Sequence, residues 1–159
     1  MVKISKIMNT YAPKLKKDAK VSDAAKLMAE TFYGCIVVVD GERPIGIITE
    51  SDIIKNLISR RIDAKEKVAK IMSSPVVAIN PAASLEKASK IIDTRHFRRY
   101  PVVNNGALVG LVTEHDIVQA INDNIKFHRN LQNAILIVFV IFEFFVFVLY
   151  RYLKSFFPF

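Results

Sequence analysis

The sequence contains no tryptophan and little cysteine, glycine or proline. Among 159 residues there are one cysteine, five glycines and six prolines. A single cysteine excludes a disulfide framework and an all-cysteine metal site. So few glycines and prolines exclude a collagen-like or low-complexity chain. The length excludes a large multidomain enzyme and admits one compact domain or two small halves that share a core.

Acidic residues are scarce relative to basic ones. The 15 Asp and Glu residues stand against 23 Lys and Arg residues, which gives a formal net charge of +8. This excess suits nucleic acid, an anionic ligand or a membrane surface, or simply a charged soluble exterior. The apolar residues are placed unevenly, since 8 of the 11 phenylalanines lie at or after Phe139. The chain therefore divides into a water-soluble part and an apolar tail.

Common enzyme motifs are also missing. The sequence contains neither a GxxxxGK loop nor GxSxG, and its three histidines do not have the spacing of HExxH. Cys35 opens an apolar run and is typical of a buried small hydrophobe. We expect a non-enzymatic protein without a catalytic metal.

What the sequence does contain is an internal repeat. An offset of 64 residues, from Gly46 to Gly110, places GIITESDI over GLVTEHDI. The same offset aligns the two KIM sequences at 6–8 and 70–72. One copy is too small to bury a good core alone, so we expect the two copies to pack as a pseudo-symmetric pair.

Each copy has the pattern β-α-β-β-α. After an extended opening segment, a serine at Ser22 or Ser84 occupies an N-cap position before a helix-period stretch. Two short apolar runs joined by turn residues and a second helix follow in each copy. We predict a mixed α/β (α+β) fold with three parts: repeat one at 6–60, repeat two at 70–124, and a C-terminal apolar helix at 134–150. The second helices are predicted over 50–59 and 114–123.

A Thr-x-x-Asp sequence recurs where a strand meets a helix, as Thr49 with Asp52 and as Thr113 with Asp116. One interpretation is a capping box that needs no ligand. The other is a nucleotide site, because a helix N-terminus favours a phosphate and the Thr hydroxyl adds a donor. An ionised Asp only accepts hydrogen bonds, so it suits a ribose diol. Both interpretations stay open.

A tandem of β-α-β-β-α units that carries G-h-h-T-x-x-D resembles a pair of CBS domains, the regulatory module named after cystathionine β-synthase. The resemblance covers residues 6–121 and includes the KIM openings and the YPVV run. It implies two clefts that bind AMP, ADP, ATP or S-adenosylmethionine, with the motif Thr on phosphate and the Asp on ribose, and association as a homodimer. Gly46 and Gly110 either admit a ligand close to the backbone or mark strand irregularities.

The resemblance also implies a basic residue just before the proline-valine strand. The sequence RHFRRYPVV offers Arg98 and Arg99 as phosphate ligands, with His96 behind them. The alternative is a solvated basic edge. In repeat one, Gly34 and Cys35 replace the arginines. We therefore expect the two clefts to be unequal.

His115 lies beside Asp116 inside TEHD. There it can respond to pH or to a divalent ion such as Mg²⁺ bound to the phosphates, and the plainer alternative is a helix-surface histidine. Lys14, Lys16 and Lys17 either supply the charge that repeat one lacks or are simply exposed.

The tail from Ile135 to Leu149 is apolar except at Glu143. Its 14 Leu, Ile, Val or Phe side chains favour bilayer insertion by roughly 4 to 8 kcal/mol, and a central acid costs about 2.5 to 3.5 kcal/mol. The N-terminus has no apolar signal segment. We expect residues 134–150 to anchor a cytoplasmic module in a membrane. The alternatives are a helix buried against a partner copy and a β-rich adhesive tail.

The function predicted from the sequence is a non-enzymatic adenine-nucleotide sensor. Its occupancy would be relayed through residues 122–133 to the membrane helix and to an effector protein. The rival is a ligand-free oligomerisation module clustered at a membrane. A nucleic-acid binder is suggested by the charge alone, and the sequence has no recognition-helix or RNA-binding motif to support it.

Overall fold

The computed structural model describes residues 2–59, 62–95 and 97–156. The mixed α/β fold is confirmed. The elements in chain order are β1 Lys14–Lys16, α1 Val21–Thr31, β2 Cys35–Asp40, β3 Arg43–Thr49, α2 Glu50–Ser59, α3 Leu85–Arg95, β4 Arg99–Asn104, β5 Ala107–Thr113 and α4 Glu114–Phe156. Short 3₁₀ turns lie at Ile4–Lys6 and Val68–Lys70. The chain divides into two compact units, Met1–Val118 and Gln119–Phe159.

Each repeat is built on an antiparallel hairpin. Cys35 of β2 lies opposite Thr49 of β3, and Arg99 of β4 lies opposite Thr113 of β5. In repeat one, β1 pairs with β2 in parallel. In repeat two, the predicted opening strand forms only a single parallel bridge, through Ile79 to β4. The two sheets therefore have three and two strands.

The segments that open the repeats contain Asn9 and Ser73, and each lies against the other repeat. These two are the crossing segments. Ser73 and Ile47 of β3 exchange two backbone hydrogen bonds, at 2.8 and 3.0 Å. Asn9 and Leu111 of β5 exchange two at 2.8 Å. These matched contacts give the pair its pseudo-two-fold symmetry. They also mean that each cleft is assembled from both repeats.

Strand β2 is buried on both faces. Ile36 and Val38 point to the core of repeat one, beneath α1 and α2. The alternate residues pack with Leu111 of β5: Cys35, Val37 and Val39. Because side chains of a strand alternate between its two faces, the unbroken apolar run of β2 serves both contacts.

The prediction of N-cap serines is wrong for α1 and confirmed for α3. Helix α1 begins at Val21, because the N–H groups of Val21 and Ser22 donate to backbone carbonyls of the segment 64–66, at 2.8 and 2.9 Å. Those donors need no serine cap, and Ser22 lies inside the helix. At α3, the Ser84 hydroxyl accepts a hydrogen bond from the Lys87 N–H at 3.3 Å.

Helix α4 is continuous over 43 residues. It does not end at Asp123, where the sequence pattern places its end, and the expected connection at 122–133 is helical throughout. The sequence has no glycine or proline from Glu114 to Phe156 that would end the helix. An 18-residue window of the helix has a mean hydropathy of 2.5, so it is long and apolar enough to cross a membrane by length and composition.

Candidate functional site

The Thr-x-x-Asp sequences form the same cap in both repeats. The N–H and hydroxyl of Thr49 both donate to Asp52 Oδ2, at 2.9 and 2.7 Å, and the Asp52 N–H donates to Thr49 Oγ1 at 3.2 Å. The corresponding distances for Thr113 and Asp116 are 2.9, 2.7 and 3.1 Å. The capping-box geometry is therefore present at the start of α2 and of α4.

The cap decides which atoms of Thr49 and Asp52 a ligand can use. A threonine hydroxyl has one proton, and that of Thr49 is already donated to the carboxylate. Asp52 accepts through Oδ2, whereas its Oδ1 has no hydrogen bond with the described part of the chain. A ribose hydroxyl can donate to Oδ1 with the cap intact. A phosphate needs donors from elsewhere.

A cavity of about 300 Å³ lies beside Thr49. Its walls come from β3, from the crossing segment after the second KIM sequence, and from the residues around the start of β4. The residues that line it are Ile47, Thr49, Ser73, Pro75, Val76, Val77, Phe97, Arg98 and Arg99. The cavity thus joins the cap of repeat one to the two predicted arginines of repeat two.

Arg98 and Arg99 supply the positive charge of this cavity. Within the described ranges, neither guanidinium group forms an ion pair, since all four ion pairs found there use lysines. A side chain on Gly34 would crowd Arg99, because a Cβ there would lie 3.2 Å from Arg99 Nη2 and 3.3 Å from Glu50 Oε2. Two unpaired guanidinium groups favour a phosphate or carboxylate.

The two candidate histidines are placed differently. His96 lies outside the described residues. His115 is exposed on the first turn of α4 and is not among the residues that line the cavity beside Thr49. The structure therefore brings together Thr49, Arg98 and Arg99, and it attaches Asp52 to that group through the cap.

The pseudo-equivalent second cleft has different side chains. Tyr11 and Tyr33 occupy the positions that Pro75 and Phe97 occupy in the first cavity. Their ring centroids are 5.6 Å apart, and the Tyr33 hydroxyl accepts a hydrogen bond from the Asn9 side-chain amide. This aromatic pair stands at the positions that form part of the cavity wall in the first cleft.

A second cavity of about 370 Å³ lies on this side, but Thr113 does not line it. Its lining residues are Thr10, Tyr11, Ala12, Pro13, Lys14, Leu27, Leu108, Val109 and Gly110. Lys14 is the cation among them. Lys17 instead donates a hydrogen bond to Asp40 at 2.9 Å, and this bond raises the pKa of its ammonium group.

Gly46 and Gly110 make room for the crossing segments. A Cβ on Gly46 would overlap Met72 Sδ, and one on Gly110 would lie 2.5 Å from the Asn9 carbonyl oxygen. A register shift lies in the partner strand beside each glycine. Of the two interpretations of these glycines, the strand irregularity matches the structure. The repeated KIM sequence was the available indication of this packing, because its methionines, Met8 and Met72, lie against these glycines.

Sequence reasoning did not single out the apolar wall of the first cavity. Ile47, Phe97 and the run from Pro75 to Val77 line it. The 64-residue offset relates Phe97 and Pro75 to Tyr33 and Tyr11, so an aligned comparison of the copies would have identified these positions as paired.

Cys35 is buried at 1% exposure, and burial raises the pKa of its thiol. This placement fits the predicted small hydrophobe. Over the described residues there is no group of three or more His, Cys, Asp or Glu side chains that could hold a metal ion.

Comparisons with known proteins identify the fold. The family model of the CBS domain matches residues 4–59 and 68–123. The CBS domain-containing protein YhcV of Bacillus subtilis is 31% identical over 117 residues, which cover 74% of this chain and 84% of YhcV.

Solved structures of CBS pairs have the same fold. One is the crystal structure of the CBS domain pair of protein MJ0100 in complex with 5′-methylthioadenosine and S-adenosyl-L-methionine. It has a TM-score of 0.68 at 22% identity and covers 77% of this chain and 98% of that one. That of CBSX2 in complex with AMP has a TM-score of 0.65 at 23% identity, with the same coverage. With both repeats matched in sequence and fold, the chain belongs to the CBS domain family as a CBS pair.

Proposed function

We propose that this CBS pair is a non-enzymatic regulatory module that binds an adenine nucleotide in the cleft of Thr49. The observation that carries the proposal is the meeting of Arg98 and Arg99 with the Thr49–Asp52 cap around one cavity. The ligand class is AMP, ADP, ATP or S-adenosylmethionine. Two ligands of this class are bound in the related structures, S-adenosyl-L-methionine in MJ0100 and AMP in CBSX2, which supports the choice.

Each part of the ligand has a matching group in the cleft. The arginines bind the phosphates, or the carboxylate of S-adenosylmethionine, through charge-assisted hydrogen bonds. Asp52 accepts from the ribose hydroxyls through Oδ1, because Oδ2 is held by the cap. Apolar side chains, Ile47 and Val77 among them, cover the base. Mg²⁺ would bind through the phosphates. His96 stays a candidate ligand residue behind Arg98 and Arg99, and His115 stays a candidate beside Asp116, at the cap of repeat two.

A path from the cleft to the tail runs along the backbone. The Arg98 carbonyl accepts the Glu114 N–H at 3.0 Å, so a ligand held by Arg98 acts beside the first residue of α4. Helix α4 continues from there without a break into the apolar segment. A ligand changes the equilibrium between arrangements of the module only if it binds one arrangement better than another. The output would pass to an effector protein or to helix association.

We further propose that residues 134–150 anchor the module in a membrane, with the CBS pair in the cytoplasm. The support is the hydropathy of this part of α4 and the exposure of its side chains, such as 62% for Ile141. Homodimer formation is supported by apolar side chains that α2 leaves exposed, Ile54 at 56% and Ile58 at 76%.

A second candidate is the ligand-free oligomerisation module. One observation favours it: the Thr–Asp caps are satisfied by their own hydrogen bonds, so the motif does not require a ligand. This candidate predicts no nucleotide binding at either cleft.

The test is isothermal titration calorimetry on the full chain in detergent micelles with AMP, ADP, ATP and S-adenosylmethionine, each alone. At least one should bind. Asp52→Asn keeps an oxygen for the cap but loses the charge that binds the diol, and we expect it to weaken binding by about 10- to 100-fold. Asp116→Asn is the matched control and should bind as the unaltered chain does.

The probe 2′,3′-dideoxy-AMP separates the ribose contact from the rest. The unaltered chain should bind this probe more weakly than it binds AMP. The Asp52→Asn chain should bind the probe and AMP about equally. If none of the four ligands binds, the oligomerisation module is correct. If Asp116→Asn alone loses binding, the ligand occupies the second cleft.

A further inference from the structure

Glu143 is the only charged residue between Arg129 and Arg151. It lies within an unbroken part of α4 whose other residues from Ile135 to Leu149 are all apolar. In the described part of the chain, the Glu143 carboxyl group has no hydrogen bond and no ion pair. An ionisable side chain at such a place is rare and calls for a partner.

The helix itself provides no partner for this carboxyl group. Side chains three and four positions away are the ones that share a helix face with it. For Glu143 these are Phe139, Val140, Val146 and Phe147, which have no polar atoms. Because no residue in the described part of the chain pairs with Glu143, another molecule is the available source of a partner.

A second copy of the chain meets this need. Copies that insert the same tail with the CBS pair on one side of the bilayer have parallel helices, so equal residues lie at equal depth. A carboxyl group in hydrocarbon is far less costly in its protonated form, which has one donor and one acceptor. Two such groups can exchange two hydrogen bonds.

The usual alternative for helix association in membranes is close packing through small residues. From Ile135 to Leu149 there is no Gly, Ala or Ser, so this segment offers no small-residue stripe. Resting on the membrane anchor proposed above, we propose that the tails of two copies associate as a parallel helix pair through a Glu143–Glu143 hydrogen bond.

The face of contact can be tested by cysteine cross-linking of the full chain in phosphatidylcholine vesicles. At 3.6 residues per turn, Val140 and Phe147 share the Glu143 face, whereas Ile141 and Phe145 lie on the opposite side. We expect the oxidised dimer to form several-fold more in Val140→Cys and Phe147→Cys than in Ile141→Cys and Phe145→Cys, because a disulfide needs closely spaced backbones. The chain with buried Cys35 alone is the blank.

Substitution of Glu143 gives the second arm. Glu143→Leu should remove the face preference and weaken association by about 3- to 30-fold, whereas Glu143→Gln, which keeps a donor and an acceptor, should retain both. The helix pair is overturned if the cysteine variants keep their face preference when Glu143→Leu is added. It is also overturned if they show no face preference when Glu143 is present. Flotation of the vesicles in alkaline carbonate, which removes peripherally bound protein, reports insertion separately. A chain that does not insert overturns the anchor and the helix pair together, whereas an inserted chain without face preference overturns the pair alone.

Discussion

The two clefts of this CBS pair have the same backbone and different side chains. Both have a Thr–Asp cap with nearly identical hydrogen bonds. The first adds two arginines around an open cavity, and the second has Gly34 and Cys35 at the arginine positions, with a tyrosine pair beside them. The duplication retained the hydrogen bonds that start each helix. The side chains that select a ligand diverged independently, so one motif marks two sites of unequal chemistry.

Removing the arginines should have the largest effect on this comparison. We expect Arg98→Ala combined with Arg99→Ala to weaken nucleotide binding by more than about 100-fold, since each charge-assisted hydrogen bond contributes roughly 1.5 to 3 kcal/mol. Adenosine, which has no phosphate, should bind both chains equally in the same calorimetric titration. Arg43→Ala, at an exposed arginine of β3, is the control. An equal loss for adenosine would show that the arginines support the fold and do not bind phosphate.

The two motif glycines test how the repeats are joined. We expect Gly110→Ala to destabilise the fold by about 1 to 3 kcal/mol, because its Cβ would meet the backbone oxygen of Asn9. Gly46→Ala should cost less, since Met72 is a flexible side chain that can move. Urea unfolding followed by tyrosine fluorescence measures both. A larger cost for Gly46→Ala would contradict this account of the crossing segments.

Much of the fold could be predicted from local sequence. The hairpins, α2 and the Thr–Asp caps depend on neighbouring residues, and the predicted start and end of α2 match the structure. The placement of the crossing segments could not be predicted in this way, because Ser73 finds its partner Ile47 through tertiary packing. For the same reason, local sequence does not indicate that Arg98 and Arg99 meet Thr49 of the other repeat. The start of α1 was missed because carbonyls of the segment 64–66 replace its serine cap.

The aromatic residues of the two clefts should respond differently to substitution. Tyr33→Leu removes a ring contact and a hydrogen bond, so we expect about 0.5 to 1.5 kcal/mol of destabilisation and unchanged nucleotide affinity. Phe97→Leu, at the paired position, should lower affinity a few-fold with a smaller loss of stability, because Phe97 lines the first cavity and is 48% exposed. The same titrations and urea curves measure both. A loss of affinity in Tyr33→Leu would place the ligand in the second cleft.

The smallest expected effect concerns Cys35, which occupies the position of Arg99 in the duplicated pattern. Burial raises the pKa of its thiol above the ordinary value of 9.0, so the folded chain keeps this proton at pH values where the unfolded chain has lost it. The unfolded state then binds fewer protons, and the free energy of unfolding falls as pH rises above that value.

A comparison of the unaltered chain with Cys35→Ala isolates this contribution, which the variant lacks. Burial also raises the pKa of Tyr100, but Tyr100 affects both chains alike. We therefore expect the stability difference between the two chains to be constant below pH 9.0 and to shrink above it in urea unfolding under reducing conditions. A difference that stays constant with pH would mean that the thiol ionises as readily in the folded chain, and that the contact between the repeats is open to water.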